Sequence, residues 1–337
     1  MKAAILGTGS WGTAFGHHLA DTWSRVTLWG IEQDQIDAIN RLHANPAFFE
    51  ELTLPDNLDA TGDLATCLEG ADAIFVVLPS QAVRDVAARI HTIAPASTVP
   101  VICLSKGLEL SSLKRLSTVL EEELSGGDRS ARHRVAVLLG PSHAEEVVRG
   151  LPTAVVLAGH GSSWHDWQPH LSSPTFRVYT NHDMVGVEIA SAFKNVIAIA
   201  VGVCDGLGLG DNARGALMTR GINEMARLGI ALGGQHETFY GLAGIGDMIT
   251  TCTSSHSRNR NYGEAVATGR EDPQSLLDHA SQVVEGAVMT RAALKLCAKH
   301  SIELPITQEV HHVLFSGKDP RQAMRDLMER ALRPEAE

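Results

Sequence analysis

Lys194 stands in the run "EIASAFKNVIAIAVGV", residues 188–203, among Ala, Phe, Ile and Val. An unpaired ammonium in such surroundings costs several kcal/mol, so the position asks for a partner or a task. Two readings are open on the residues alone: a lysine that snorkels its amine out of an apolar helix, or a buried proton donor. An ammonium near a ketone can protonate the oxygen as hydride reaches the carbon, and the neutral amine can take that proton back in reverse.

Four other stretches carry residue types that could serve such chemistry. "GTGSWG" (7–12) fits GxGxxG, with an apolar run before it and the helical "WGTAFGHHLADTW" after it. Gly7 permits the tight turn, Gly9 lets a pyrophosphate approach the backbone, and Gly12 lets helix and strand pack closely. The helix N-terminus then offers free N–H groups to the phosphates. "SRNR" (257–260) supplies an anion pocket, Arg258 through its planar fork and Ser257 and Asn259 as neutral donors. It reads as a loop, and Arg260 as an ordinary surface residue. Asp247, after the glycine-rich turn "GIG", could cap a helix or face Lys194, and Thr251 one turn later would face the same side. Lys106 directly follows "VPVICL", at the strand end where open α/β sheets bind ligands.

The elements that position these residues fall into two kinds. Short apolar runs at 3–6, 26–29, 73–78, 99–104, 135–139, 153–158 and 176–179 alternate with amphipathic stretches. That pattern predicts an α/β, Rossmann-type domain with a mostly parallel sheet over residues 1–183. Beyond Asp183 the period changes to 3.6, with Ala/Leu/Met-rich segments at 184–203, 212–232, 284–300, 305–316 and 319–332. These predict an all-helical domain over 184–337. Glu32 lies twenty residues beyond Gly12, just past the second strand, where a carboxylate accepts from a ribose 2′-OH and repels a 2′-phosphate. NAD is therefore favoured over NADP, although Glu32 could equally be a solvated residue of a first helical turn.

Composition bounds the rest. The 337 residues carry a net charge of −11 and are 44% hydrophobic, which disfavours nucleic acid or an anionic membrane as a partner. No apolar stretch reads as reaching the roughly 18 residues of a membrane span, so the expected location is cytoplasmic. Five scattered cysteines without a CxxC pair fit a reducing compartment. The sixteen histidines show no metal-ligand spacing, and no metal site is expected.

"LSKGLE" (104–109), "GPSHAEEV" (140–147), "KNVIAIAVGVCDGLGLGDNARGALMTRGINEM" (194–225) and "GLAGIGDMITTCTSSHSRNRNYG" (241–263), with the glycine turn, closely resemble NAD(P)-dependent glycerol-3-phosphate dehydrogenase of the bacterial type. The resemblance covers nearly the whole chain. It implies reversible reduction of dihydroxyacetone phosphate, a small phosphorylated triose, to sn-glycerol 3-phosphate for phospholipid synthesis, by a homodimer. It implies that Lys194 is the acid/base, with Asn195 beside it, and places Asp247 and Thr251 in the substrate site. Ser257, Arg258 and Asn259 match contacts to the substrate phosphate, with Arg258 also reaching the cofactor. Lys106 matches a residue touching both substrate and nicotinamide. Ser142 matches a substrate contact. Ser10, Trp11 and Ala144 match cofactor contacts, Gly140 lets the backbone come close, and Val283 and Glu285 in "QVVEG" match positions near the cofactor.

Two departures stand out. "WGIEQD" replaces the arginine that bacterial members commonly carry after the second strand, which puts NADPH preference in question. "HANPAFFEELTLPDNL" (43–58) keeps the asparagine and "LP" but replaces the usual "YLP" region. Rival readings are a ketopantoate reductase or β-hydroxyacid dehydrogenase, neither of which needs "SRNR", and a non-catalytic redox sensor, which has no use for a buried lysine.

Overall fold

The computed structural model describes residues 1–95, 97–125, 134–269, 272–279, 283–332 and 334–335. Gln282 of the "QVVEG" motif lies outside them. The chain divides into two compact units, Met1–Glu188 and Ile189–Glu337.

The first unit is built on strands β1 (Lys2–Leu6), β2 (Arg25–Trp29), β3 (Leu58–Thr61), β4 (Ala73–Val76), β5 (Val101–Cys103), β6 (Val135–Leu139), β7 (Thr153–Gly159) and β8 (Phe176–Asn181). They form one sheet in the order β3-β2-β1-β4-β5-β6-β7-β8. All pairings are parallel except β6 with β7. The parallel strands β1, β4, β5 and β6 are almost wholly buried, as a sheet covered on both faces requires. Phe15, Phe75 and Trp23 pack edge to face among them, with Phe15 and Phe75 centroids 5.2 Å apart. The edge strand β3 is the one the sequence did not announce. "LDAT" alternates buried and half-buried residues and contains no apolar run, so it reads as the end of a loop.

The second unit holds no strand among its described residues. Its spine is the helix Met184–Gly206, which begins in the first unit and carries Lys194. Contrary to the sequence expectation, this helix is long and apolar enough to cross a membrane by length and composition, with a mean hydropathy of 1.7 over its 18-residue window. Glu188 and Lys194 interrupt the run to the eye but leave the average high. The whole window is buried inside the protein. The helix Arg258–Thr268 meets it backbone to backbone. A Cβ on Gly202 would lie 1.9 Å from the Arg260 carbonyl oxygen, and one on Gly263 2.1 Å from that of Ile199.

Glu224, on the helix Gly210–Ala231, is 4% exposed. It accepts from the Ile306 and Thr307 amides at 2.5 and 3.1 Å and from the Thr307 hydroxyl at 2.8 Å, capping the helix Pro305–Phe315. Burial pushes its carboxyl up from 4.5 to about 7, against the pull of these donors. With the folded-state value above the unfolded one, the native protein holds a proton that the unfolded chain has released. The associated stability is complete below about pH 4.5 and is lost as pH rises through about 7. Glu224→Gln is expected to remove this dependence. In urea unfolding at pH 5 and pH 8, the wild type should lose about 2–3 kcal/mol more than the variant; parallel pH curves would refute it.

Candidate active site

In the first unit, β1 leads into the glycine turn and the helix Ser10–Ala20 leaves it. Gly7 has φ of 136°, and a Cβ there would lie 2.3 Å from the Val77 carbonyl oxygen; a Cβ on Gly12 would lie 2.1 Å from the Gly7 carbonyl oxygen. The protein itself demands glycine at both. Gly9 differs: a Cβ would meet nothing within 4 Å. What glycine preserves there is space beside a helix start that has no side-chain cap, a cradle suited to a pyrophosphate. Ser10 and Trp11 open that helix, and Trp11 packs against the cluster of Ala14, Phe49 and Ala144. Glu32 is exposed at the N-cap position of the helix Gln33–Leu42, one place before the first turn.

Lys106, Gly140 and Ser142 come together at the carboxyl ends of β5 and β6. The Lys106 ammonium and the Ser142 hydroxyl both donate to the Gly140 carbonyl, at 3.2 and 3.1 Å. The loop bearing Lys106 is held by buried Glu109, which accepts from Arg84 at 2.7 and 2.9 Å, and by Gln81, which bonds the Leu108 carbonyl and the Leu110 amide.

In the second unit, Lys194 is 4% exposed and its Nζ does not snorkel. It donates to Asp247 Oδ1 and, at 2.7 Å, to the Thr251 hydroxyl. The Ser191 hydroxyl donates to Asp247 Oδ2 at 3.3 Å, and the Thr251 hydroxyl to the Asp247 carbonyl at 2.6 Å. Asp247 follows a π-helical turn, Leu242–Gly246, and is the first residue of the helix Asp247–Thr253; its side chain serves Lys194 instead of capping. Irregular turns of this kind frequently mark functional sites. The buried pair compensates two charges that would each be costly alone.

Asn195 continues the site. Its amide donates to Glu285 Oε2 at 3.3 Å, its oxygen accepts from Asn259 at 3.0 Å, and Asn259 Oδ1 accepts from the Gly286 amide at 2.9 Å. Arg258 is exposed and donates to the Val283 carbonyl at 3.3 Å. "SRNR" is therefore not a loop. Ser257 is the N-cap of the helix Arg258–Thr268 and accepts the Arg260 amide at 3.3 Å. Nor is Arg260 an ordinary surface residue: it is clamped to Asp205 at 2.8 and 2.7 Å.

Sequence reasoning missed two further residues. Ser191 lies one turn before Lys194 but is an unremarkable serine in an apolar run. Asn45, fully buried, donates to the Thr8 carbonyl and the Thr13 hydroxyl, both at 2.9 Å, and so ties the departing segment 43–58 to the glycine turn. Its retention amid altered neighbours was the available signal. All five cysteines are buried, and burial raises the Cys67, Cys103 and Cys252 thiols to about 12, which leaves them without thiolate chemistry.

Sequence profiles of the NAD-dependent glycerol-3-phosphate dehydrogenase N-terminus and C-terminus match residues 2–164 and 183–325. A glycerol-3-phosphate dehydrogenase [NAD(P)+] of Moorella thermoacetica is 47% identical over 99% of this chain and 97% of its own. The crystal structure of glycerol-3-phosphate dehydrogenase from Coxiella burnetii is 41% identical, with a TM-score of 0.90 over 98% of this chain and 99% of that one. D-mandelate dehydrogenase shares only the fold, at 14% identity and a TM-score of 0.62 over 96% of this chain and 99% of that one. With both halves of its sequence matched and full-length relatives well above the level of a shared fold, the chain belongs to the NAD-dependent glycerol-3-phosphate dehydrogenase family.

Proposed function

We propose that the chain interconverts dihydroxyacetone phosphate and sn-glycerol 3-phosphate with a nicotinamide dinucleotide, supplying glycerol 3-phosphate for phospholipid synthesis. The observation that carries this reading is the buried Lys194–Asp247–Thr251 group beside Asn195 and Asn259, in a chain of that family. When bound, the nicotinamide gives hydride to the ketone carbon in reduction and receives it in oxidation.

The chain's own residues do the rest. Lys194 donates a proton to the ketone oxygen as negative charge develops there, and as the neutral amine it takes the alcohol proton in reverse. Asp247 and Thr251 hold its Nζ in place, so no reorganisation is needed at the moment of transfer. Arg258 grips the phosphate by charge-assisted hydrogen bonds, with Asn259 and Ser257 as neutral donors. Asn195 orients Asn259 and the substrate, and Lys106 and Ser142 add substrate contacts. Gly7, Gly9, Ser10, Trp11, Gly12, Gly140 and Ala144 hold the dinucleotide, with Lys106, Arg258, Val283 and Glu285 near its reactive end. A cytoplasmic homodimer completes this reading, with light scattering as its check.

Glu32 carries the coenzyme preference. Exposed just beyond β2, it accepts from a ribose 2′-OH and repels a 2′-phosphate. Dihydroxyacetone phosphate reduction followed by loss of reduced-nicotinamide absorbance should give kcat/KM for NADH about tenfold above that for NADPH, a difference of about 1.4 kcal/mol. Glu32→Arg should reverse the order. Equal preference in both proteins would reject the role of Glu32, whereas turnover only of an unphosphorylated hydroxy acid would reject the reaction itself.

A further inference from the structure

We propose that Asp205 is a positioning residue that sets the enzyme's preference for a phosphorylated substrate, by clamping the turn that carries Ser257, Arg258 and Asn259. This rests on the dihydroxyacetone phosphate reading above. Asp205 follows Lys194 by eleven positions on one helix, three turns and a small remainder, so both project from the same side about 16 Å apart along the axis. Its side chain is 8% exposed and is shared between two guanidinium groups. Arg260 Nε and Nη2 lie 2.8 and 2.7 Å from Oδ2, and Arg214 Nε and Nη2 each lie 2.9 Å from Oδ1. The other charges at the clamp are Asp211, 2.9 Å from Arg214, and Glu264, 3.3 Å from Arg260.

Arg260 is two residues past Arg258 in the first turn of its helix, and its amide bonds the Ser257 cap. That turn is attached to the lysine helix at two points, Asn259 on Asn195 and Arg260 on Asp205. Asn195 and Asp205 are ten residues, roughly 15 Å, apart along the helix. Two anchors so widely separated fix rotation of the turn as well as its position, and rotation decides where the Arg258 fork is presented. Of the two, only the Asp205 anchor is made by residues with no proposed substrate contact, so its loss reports on positioning alone.

The test compares Asp205→Asn, Arg260→Lys and Arg214→Gln with the wild type, on dihydroxyacetone phosphate and on unphosphorylated dihydroxyacetone. Asp205→Asn and Arg260→Lys should raise KM for dihydroxyacetone phosphate about tenfold, with kcat/KM for dihydroxyacetone within twofold of wild type. Arg214→Gln leaves the bond between Arg260 and Asp205 in place and should stay within twofold throughout. Arg260→Lys keeps a cation at the clamp but loses the bidentate fork, which provides a folded variant should the loss of the carboxylate prevent folding. An unchanged KM in the first two variants, or a loss shared equally by both substrates, overturns the clamp while leaving the reaction assignment standing. A wild-type protein without turnover of dihydroxyacetone phosphate removes the assignment and the clamp with it.

Discussion

Lys194→Ala should lower kcat for dihydroxyacetone phosphate reduction by about 10³-fold, within the range of 10²–10⁴ for loss of a positioned acid/base, while NADH still binds. The variant also leaves Asp247, 1% exposed, as a carboxylate without its ammonium. Breaking a buried pair in this way costs about 3–5 kcal/mol, so a drop in stability must be separated from a drop in rate. The double variant Lys194→Met with Asp247→Asn removes both charges and keeps much of the volume. It should recover most of the stability and none of the turnover. If the double variant turned over within tenfold of wild type, Lys194 would not be the proton donor and the mechanism would fail.

Arg258→Ala has the next largest expected effect. Its guanidinium is exposed and its recorded bond is to the Val283 carbonyl, so truncation should cost little stability. Loss of a charge-assisted, forked contact to phosphate removes about 1.5–3 kcal/mol, equivalent to a fall of roughly 10- to 10²-fold in kcat/KM for dihydroxyacetone phosphate. Arg258→Lys should recover only part of this, because a point charge cannot reproduce the fork. A kcat/KM unchanged in Arg258→Ala would show that the phosphate is held elsewhere.

The sequence made most of the sheet legible because fully buried parallel strands leave continuous apolar runs. β3 was lost because a four-residue edge strand that alternates buried and half-buried residues leaves none. The long helices announced themselves by period, but Asp247–Thr253 and Arg258–Thr268 did not. The second has a Ser cap and Arg and Asn in its first turn, where capping and polar contacts outweigh hydrophobic periodicity. Lys194 was conspicuous because a charge in an apolar run violates a simple rule. Ser191 and Arg260 violate none, and their roles depend on partners more than fifty residues away, Asp247 and Asp205. The sequence change near Asp183 pointed to a seam at 183, whereas the compact units part at Glu188 and Ile189, inside the helix Met184–Gly206. A continuous helix carries no composition signal at such a place.

The close approach of Gly202 to the Arg260 carbonyl and of Gly263 to the Ile199 carbonyl constrains redesign. At the crossing of the two helices, neither glycine has a side chain that substitution could thin, and a Cβ added at either would meet backbone of the other helix. Their spacing works as a fixed gauge from Lys194 at one end to the Arg258 turn at the other. Larger or longer substrates must therefore be accommodated by trimming side chains along that gauge, since any bulk added at the crossing would pry its two jaws apart.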